Sequence, residues 1–345
     1  MANKAPSLQE WRNLYEAMQR IKETAPWQWL HEQDIFVVEN PESKELGFVS
    51  VMGAIGEHYS IAVYLGEEAL AQFWEFQETE PDMFAFQKLF EMPHLQASFE
   101  DREFLYDEDR EIIKKLSLSF RGKAAWPLFR SYKPGFFPWF LSAEEARFLT
   151  HVLEQTVDVS LRAQKDPSTL LPEEGAYLLR KSIKKGDALD WQDETWEEYF
   201  FDYADIEPQV DEFVLQKLAD APKKYLTLEF DMFMLPQPAR EGDEKPYYPY
   251  LLLLIDANSG LIVNQEAIPP LPDLKSMQAQ LASHVAQLLL NSSTSTSRIH
   301  VDSDLFLELL APLKDVAGIT IEHVLELKEA PQARISFMEF MEKFE

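Results

Sequence analysis

Tyr225-Leu-Thr-Leu-Glu-Phe-Asp-Met-Phe-Met-Leu235 is the stretch on which the reading of the fold turns. Leu226, Leu228, Phe230, Met232 and Met234 fall on one face of an extended chain, and Thr227, Glu229 and Asp231 fall on the other. That period of two predicts a strand. Downstream, residues 250–255 are an unbroken apolar run, which predicts a strand buried on both faces. Asp256 to Gly260 supplies a turn into a third strand over 261–267. Met277, Leu281, Val285, Leu288 and Leu289 then recur at helical spacing and predict one helix over 273–290. A strand at 298–301, a helix at 304–313 ended near Gly318, a strand at 319–324 and a terminal helix at 337–344 complete the order. The order β-β-β-α-β-α-β predicts a five-stranded mixed sheet with the 225–235 strand central. Its β-α-β part is a right-handed crossover between parallel strands.

Towards the N-terminus the pattern mixes helices and strands, so the whole chain reads as α+β. Trp11, Leu14, Tyr15, Met18 and Ile21 share one face of a helix over 8–23. Strands are predicted at 35–38, 47–52 and 59–65, with turns at Asn40-Pro41 and at Gly53 to Gly56. The glycine pair leads into a strand and not into a helix, so it reads as a hairpin turn and not a phosphate loop. Helices are expected at 67–77 and 107–118, and Ser142 with Glu145 forms a capping box for a longer one. Residues 177–182 and 195–201 have strand composition, with Gly186 in the turn region between them, and Pro208 opens a helix over 209–219. The expected division is an N-terminal mixed α/β domain over 1–207, with an acidic segment 187–212 at its end, and a C-terminal domain over 208–345.

Composition narrows the functional classes. A length of 345 residues with 46% hydrophobic content supports two packed cores. No apolar run reaches the ~20 residues of a membrane span, and the first eleven residues hold no apolar secretion core. With no cysteine, thiolate catalysis, disulfides and cysteine-ligated metals are excluded. The expected location is the cytoplasm. The formal charge is −28. No basic patch is evident, since Lys184-Lys185 and Lys223-Lys224 are isolated pairs, so direct nucleic-acid binding is not expected. A basic protein is the expected partner.

The strongest charge feature lies between 187 and 212, with eleven acids and no Lys or Arg. Trp191, Asp193, Glu194, Trp196, Glu197, Glu198 and Tyr199 are the candidate partner-binding residues, acids for steering and rings for anchoring. The competing reading is a solvated acidic face over partly buried rings. The block from Trp126 to Phe140 offers a second candidate. Its rings, with Trp126, Arg130, Tyr132, Lys133 and Trp139 as ligand contacts, could line a groove, or could plug the core beside the following helix.

Trp27-Gln28-Trp29, residues 47–70 and the run from Trp126 to Trp139 resemble an uncharacterised bacterial family that pairs two domains of unknown function. That resemblance implies no activity. The C-terminal order is similar to the ribonuclease H-like topology. In an active member, acids converge on Mg or Mn ions. The resemblance implies an acid on the first strand and one near the end of the fourth, which here are Asp231 and Asp302, with Glu339 on the last helix as a third. Asp304 is a neighbour, and His300, Asp302 and Asp304 recur at spacing two. The departure is the 273–290 helix, which has no acid after Asp273. The alternative is that Asp231 faces solvent and Asp302 or Ser303 caps a helix. The leading expectation is therefore a non-enzymatic interaction or regulatory protein without cofactor. A metal-dependent nuclease or phosphotransfer enzyme is the alternative.

Overall fold

The structure is a computed structural model that describes residues 4–78, 85–170, 175–186, 188–197, 206–222, 226–240, 242, 245–292 and 296–342. The chain divides into two units. One comprises Met1–Lys133 and Pro138–Tyr203, and the other Pro134–Phe137 and Ala204–Glu345. Both are α+β, and no helix among the described residues is long and apolar enough to cross a membrane.

The first unit runs α1 (Leu8–Thr24), β1 (Phe36–Glu39), β2 (Leu46–Met52), β3 (Ser60–Leu65), α2 (Gly66–Glu78), α3 (Ala85–Glu91), β4 (His94–Glu100), α4 (Asp107–Lys115), β5 (Trp126–Tyr132), α5 (Ala143–Lys165), β6 (Ala176–Lys185) and β7 (Ala188–Glu197). Its sheet has the order β5-β4-β3-β2-β1-β6-β7. Neighbours are antiparallel except β1 and β6, which are parallel. The long helix α5 makes the connection from β5 to β6. It starts at the expected capping box: Glu145 N–H donates to Ser142 Oγ at 3.2 Å, and Ser142 N–H to the Glu145 carboxylate at 2.7 Å. Its Phe148, Leu149, Val152 and Leu153 pack with Leu14, Met18 and Ile21 of α1 against Val49, Val51, Ile61 and Val63. Alternate strand residues, such as Phe48, Ala62 and Tyr64, point to the other face and pack with Leu70 and Phe73 of α2. A Cβ at Gly47 would lie 2.8 Å from the Phe148 ring, so β2 needs glycine there.

Strand β7 spans Ala188–Glu197 and so starts seven residues before the expected 195–201 strand, whose residues 198–201 lie outside the described residues. Gly186, at φ 64°, turns β6 back on itself, and Lys185 pairs with Ala188 at the start of the ladder. A tight turn fixes register, so the strand begins earlier than composition implied.

The second unit runs α6 (Glu212–Asp220), β8 (Thr227–Met234), β9 (Tyr250–Asp256), β10 (Ile262–Ile268), α7 (Leu274–Ala279), α8 (Leu281–Asn291), β11 (Arg298–Val301), α9 (Asp304–Leu309), α10 (Ala311–Ala317), β12 (Thr320–His323) and α11 (Ala330–Glu342). The five-stranded mixed sheet has the order β10-β9-β8-β11-β12 with β8 central. β9 is antiparallel to β8 and β10, while β11 is parallel to β8 and β12. Helix boundaries differ from expectation in four places. The 273–290 helix breaks at Gln280 into α7 and α8. The 304–313 helix breaks at Leu310, because Pro312 cannot donate to the carbonyl four residues back. Helix α6 starts at Glu212, where the Asp211 carboxylate accepts the N–H groups of Phe213 and Val214. Helix α11 begins seven residues before the expected start, for a reason found in β8.

Candidate functional site

The odd-numbered residues of β8 share one face. The sequence marks this row as polar, but α11 covers it. Glu229 is 2% exposed, and its carboxylate accepts the N–H groups of Lys328 at 3.0 Å, Glu329 at 2.9 Å and Ala330 at 3.0 Å. These donors stand at the start of α11, where they have no acceptor within the helix. A negative charge there also meets the positive end of the helix dipole. Asp231 is fully buried, and both of its carboxylate oxygens accept from Arg334, one from Nε and one from Nη2. The Arg334 guanidinium lies 5.3 Å from the Phe233 ring. Phe337, one turn further along α11, meets Phe233 edge-on at 6.4 Å. Glu229, Asp231 and Phe233 thus form one docking row for α11. Asp231 does not face solvent, which corrects that reading.

Of the other candidate acids, Asp302 lies near enough to Asp231 to feel its charge, but no third ligand joins them in a metal-holding group among the described residues. Asp302 follows β11 and is exposed as a residue. Partial burial of its carboxyl, and next the negative charge of Asp231, push it above the usual carboxylate range. Asp304 lies 2.8 Å from His323 Nδ1, and His300 lies 3.5 Å from Glu322, so the spacing-two row is pulled apart. Ser303, not Asp302, caps α9, with Phe306 N–H donating to its Oγ at 3.2 Å. Glu339 is exposed and sits five residues beyond Arg334, about 140° round the helix, so it is turned away from Asp231. Among the described residues, no group of three or more His, Asp or Glu could hold a metal ion. A divalent cation would need the oxygens that Arg334 already engages, so the residues present do not fit Mg or Mn.

The acidic segment is more neutralised than its composition implied. Asp193 is bound by Arg162, with a contact of 2.5 Å, and by Arg180. Glu194 pairs with Lys181 at 2.9 Å, and Asp190 pairs with Lys185. The cations come from β6 and α5, so a count within 187–212 misses them. Burial alone would raise the Asp193 carboxyl, but the Arg162 and Arg180 hydrogen bonds outweigh it and hold the group below its ordinary value. Trp196 is 8% exposed and packs between Phe48 and Tyr177, which removes it from the list of surface anchors. Trp191 is partly buried against the core, and Glu197 is exposed. Glu198 and Tyr199 lie outside the described residues.

The candidate ligand contacts of the aromatic block are likewise engaged within the first unit. Arg130 is buried and makes a two-pronged contact to Asp109 at 3.0 and 2.6 Å, with the Tyr106 and Phe140 rings at 5.0 and 4.9 Å. Lys133 lies 3.3 Å from Glu145. Tyr132 stacks on His94 at 4.0 Å, Trp126 packs edge-on with Phe120, and Trp139 bridges Ser131. The groove reading needed Arg130 and Lys133 as open polar contacts, and both are held by carboxylates. Sequence reasoning missed Arg334, Glu229 and Asp109. Only Glu229 carried a signal, as the second acid of the row containing Asp231.

The fold and these contacts define a two-unit α+β protein, each unit built on its own mixed sheet. Residues 11–181 match the domain of unknown function DUF7309, and residues 214–338 match the domain of unknown function DUF6930. The chain belongs to an uncharacterised two-domain family that joins them. No curated protein and no solved structure is significantly similar to it.

Proposed function

We propose that this is an intracellular interaction or regulatory protein that acts by binding and not by catalysis. In this reading the second unit is a ribonuclease H-like scaffold without a working metal centre. The strand order, with only β9 reversed, supports the ribonuclease H-like part. The observation that carries the proposal is the Arg334–Asp231 pair, which occupies the carboxylate that the enzyme of that fold would offer to metal. The partner has a basic surface. With 60 acids against 32 Lys and Arg, 28 carboxylates lack a cation even if every base is paired. Such an excess steers a cationic partner.

The test is titration of the protein with Mn2+ at neutral pH, together with incubation on an RNA–DNA hybrid in Mg2+. The expected result is no stoichiometric binding and no cleavage. Binding of one ion per chain that disappears in Asp231→Asn would defeat the proposal. In a second arm, Glu197→Gln with Glu198→Gln slows association with a lysine-rich peptide and flattens its salt dependence. An unchanged rate would remove that end of β7 from the partner surface.

A further inference from the structure

The first unit contains an open surface cavity of about 650 Å3, lined by Asp101, Arg102, Glu103, Arg110, Gly122 and Lys123. We infer that this cavity binds the phosphate group of a small ligand.

The chain has 60 acids in 345 residues, yet residues 112–143 contain none. The same stretch holds Lys114, Lys115, Arg121, Lys123, Arg130 and Lys133. The stretch includes the pair Lys114-Lys115, but its clearer signal is the loss of acids. Folding brings the loop at Gly122 and Lys123 against the residues after β4, so the cavity carries three cations and two acids inside a protein of charge −28.

The geometry adds to the charge. Gly122 and Ala124 both have positive φ, 104° and 46°, which turns the loop sharply. The Ala124 N–H donates to Asp101 at 2.6 Å, so one of the two acids is committed to holding the loop. Arg102 is steadied over the Trp126 ring at 5.9 Å. Lys123 is exposed, and it has no ion pair among the described residues. Arg110 contacts Asp107 through Nη1 at 2.8 Å, but its Nε is buried and has no acceptor. The Arg110 side chain is 40% exposed, so it is the outer part of its guanidinium, and not the covered Nε, that an anionic ligand oxygen meets. Arginine donors and a lysine point charge around one cavity suit a phosphate group. The remaining acid, Glu103, suits a hydroxyl or amino group on the same ligand. A free anion would gain nothing from it, and a polyanionic chain would be repelled.

The experiment is calorimetric titration of the full chain at low ionic strength with inorganic phosphate, glucose 6-phosphate and AMP. Binding is expected for at least one phosphoester, and more tightly than for inorganic phosphate. Lys123→Gln and Arg102→Gln, both exposed and safe for folding, each weaken it several-fold. Arg110→Gln weakens it about tenfold or more. Arg162→Gln removes a cation elsewhere in the same unit and leaves binding unchanged. Equal loss in Arg162→Gln would mean that general charge, and not the cavity, holds the ligand. No heat from any of the three probes at millimolar concentration would overturn the inference. Affinity for a single-stranded oligonucleotide that rises with its length would overturn the small-ligand assignment in favour of a nucleic acid.

Discussion

At the scale of single residues, burial has changed the chemistry of groups that look ordinary in sequence. His94 is 1% exposed, hydrogen-bonded through Nδ1 to the Met92 carbonyl at 2.8 Å and stacked on Tyr132. Burial holds its proton affinity down, to about 4 from the usual 6.5. The unfolded chain therefore binds a proton between those values where the folded chain does not. Stability is full above pH 6.5 and falls as the pH drops to about 4, by about 3 kcal/mol from this group. The expected outcome for His94→Gln is a less stable protein at neutral pH whose stability varies less between pH 6.5 and 4. Urea denaturation at several pH values measures this. An equal slope in both proteins would show that carboxylates alone control acid sensitivity.

At the scale of elements, the decisive contact is between β8 and α11. Helix α11 carries Pro331 in its first turn and has no Ser, Thr, Asp or Asn just before it. Its start is fixed by Glu229, about a hundred residues earlier. Glu229→Ala would leave three inward-facing N–H groups without an acceptor, at a cost of about 2–4 kcal/mol. Glu229→Gln, which keeps one acceptor oxygen, costs less. Hydrogen exchange should locate the loss in 328–337, with α5 unchanged in its protection. A uniform loss across the chain would mean that α11 is not docked mainly by this residue.

At the scale of the molecule, charge dominates. The described ion pairs consume many of the lysines and arginines, and the excess of acids remains. Like charges at this density destabilise the compact state, and salt screens them. Raising monovalent salt from ~10 to ~150 mM shortens the screening length from ~30 to ~8 Å. The melting temperature should rise over that range. A flat or falling curve would mean that the pairs lost to screening outweigh the repulsion relieved.

The sequence by itself determined the elements whose cause is local. Period-two alternation marked β8, the apolar run marked β9, and Ser142 with Glu145 marked the start of α5. Tertiary structure alone decided which of the 60 acids are engaged and by what. Asp231 meets Arg334 across 103 residues, and Asp193 meets Arg162 and Arg180 from a neighbouring helix and strand. A helix or strand is fixed by residues within a few positions of each other. An ion pair is fixed by distance in space, so chain position carries no mark of it. The same reason separates the two readings of the second unit. The row Glu229, Asp231, Phe233 looks the same in sequence whether it faces a metal, water or a helix, and only the path of α11 makes it a docking surface.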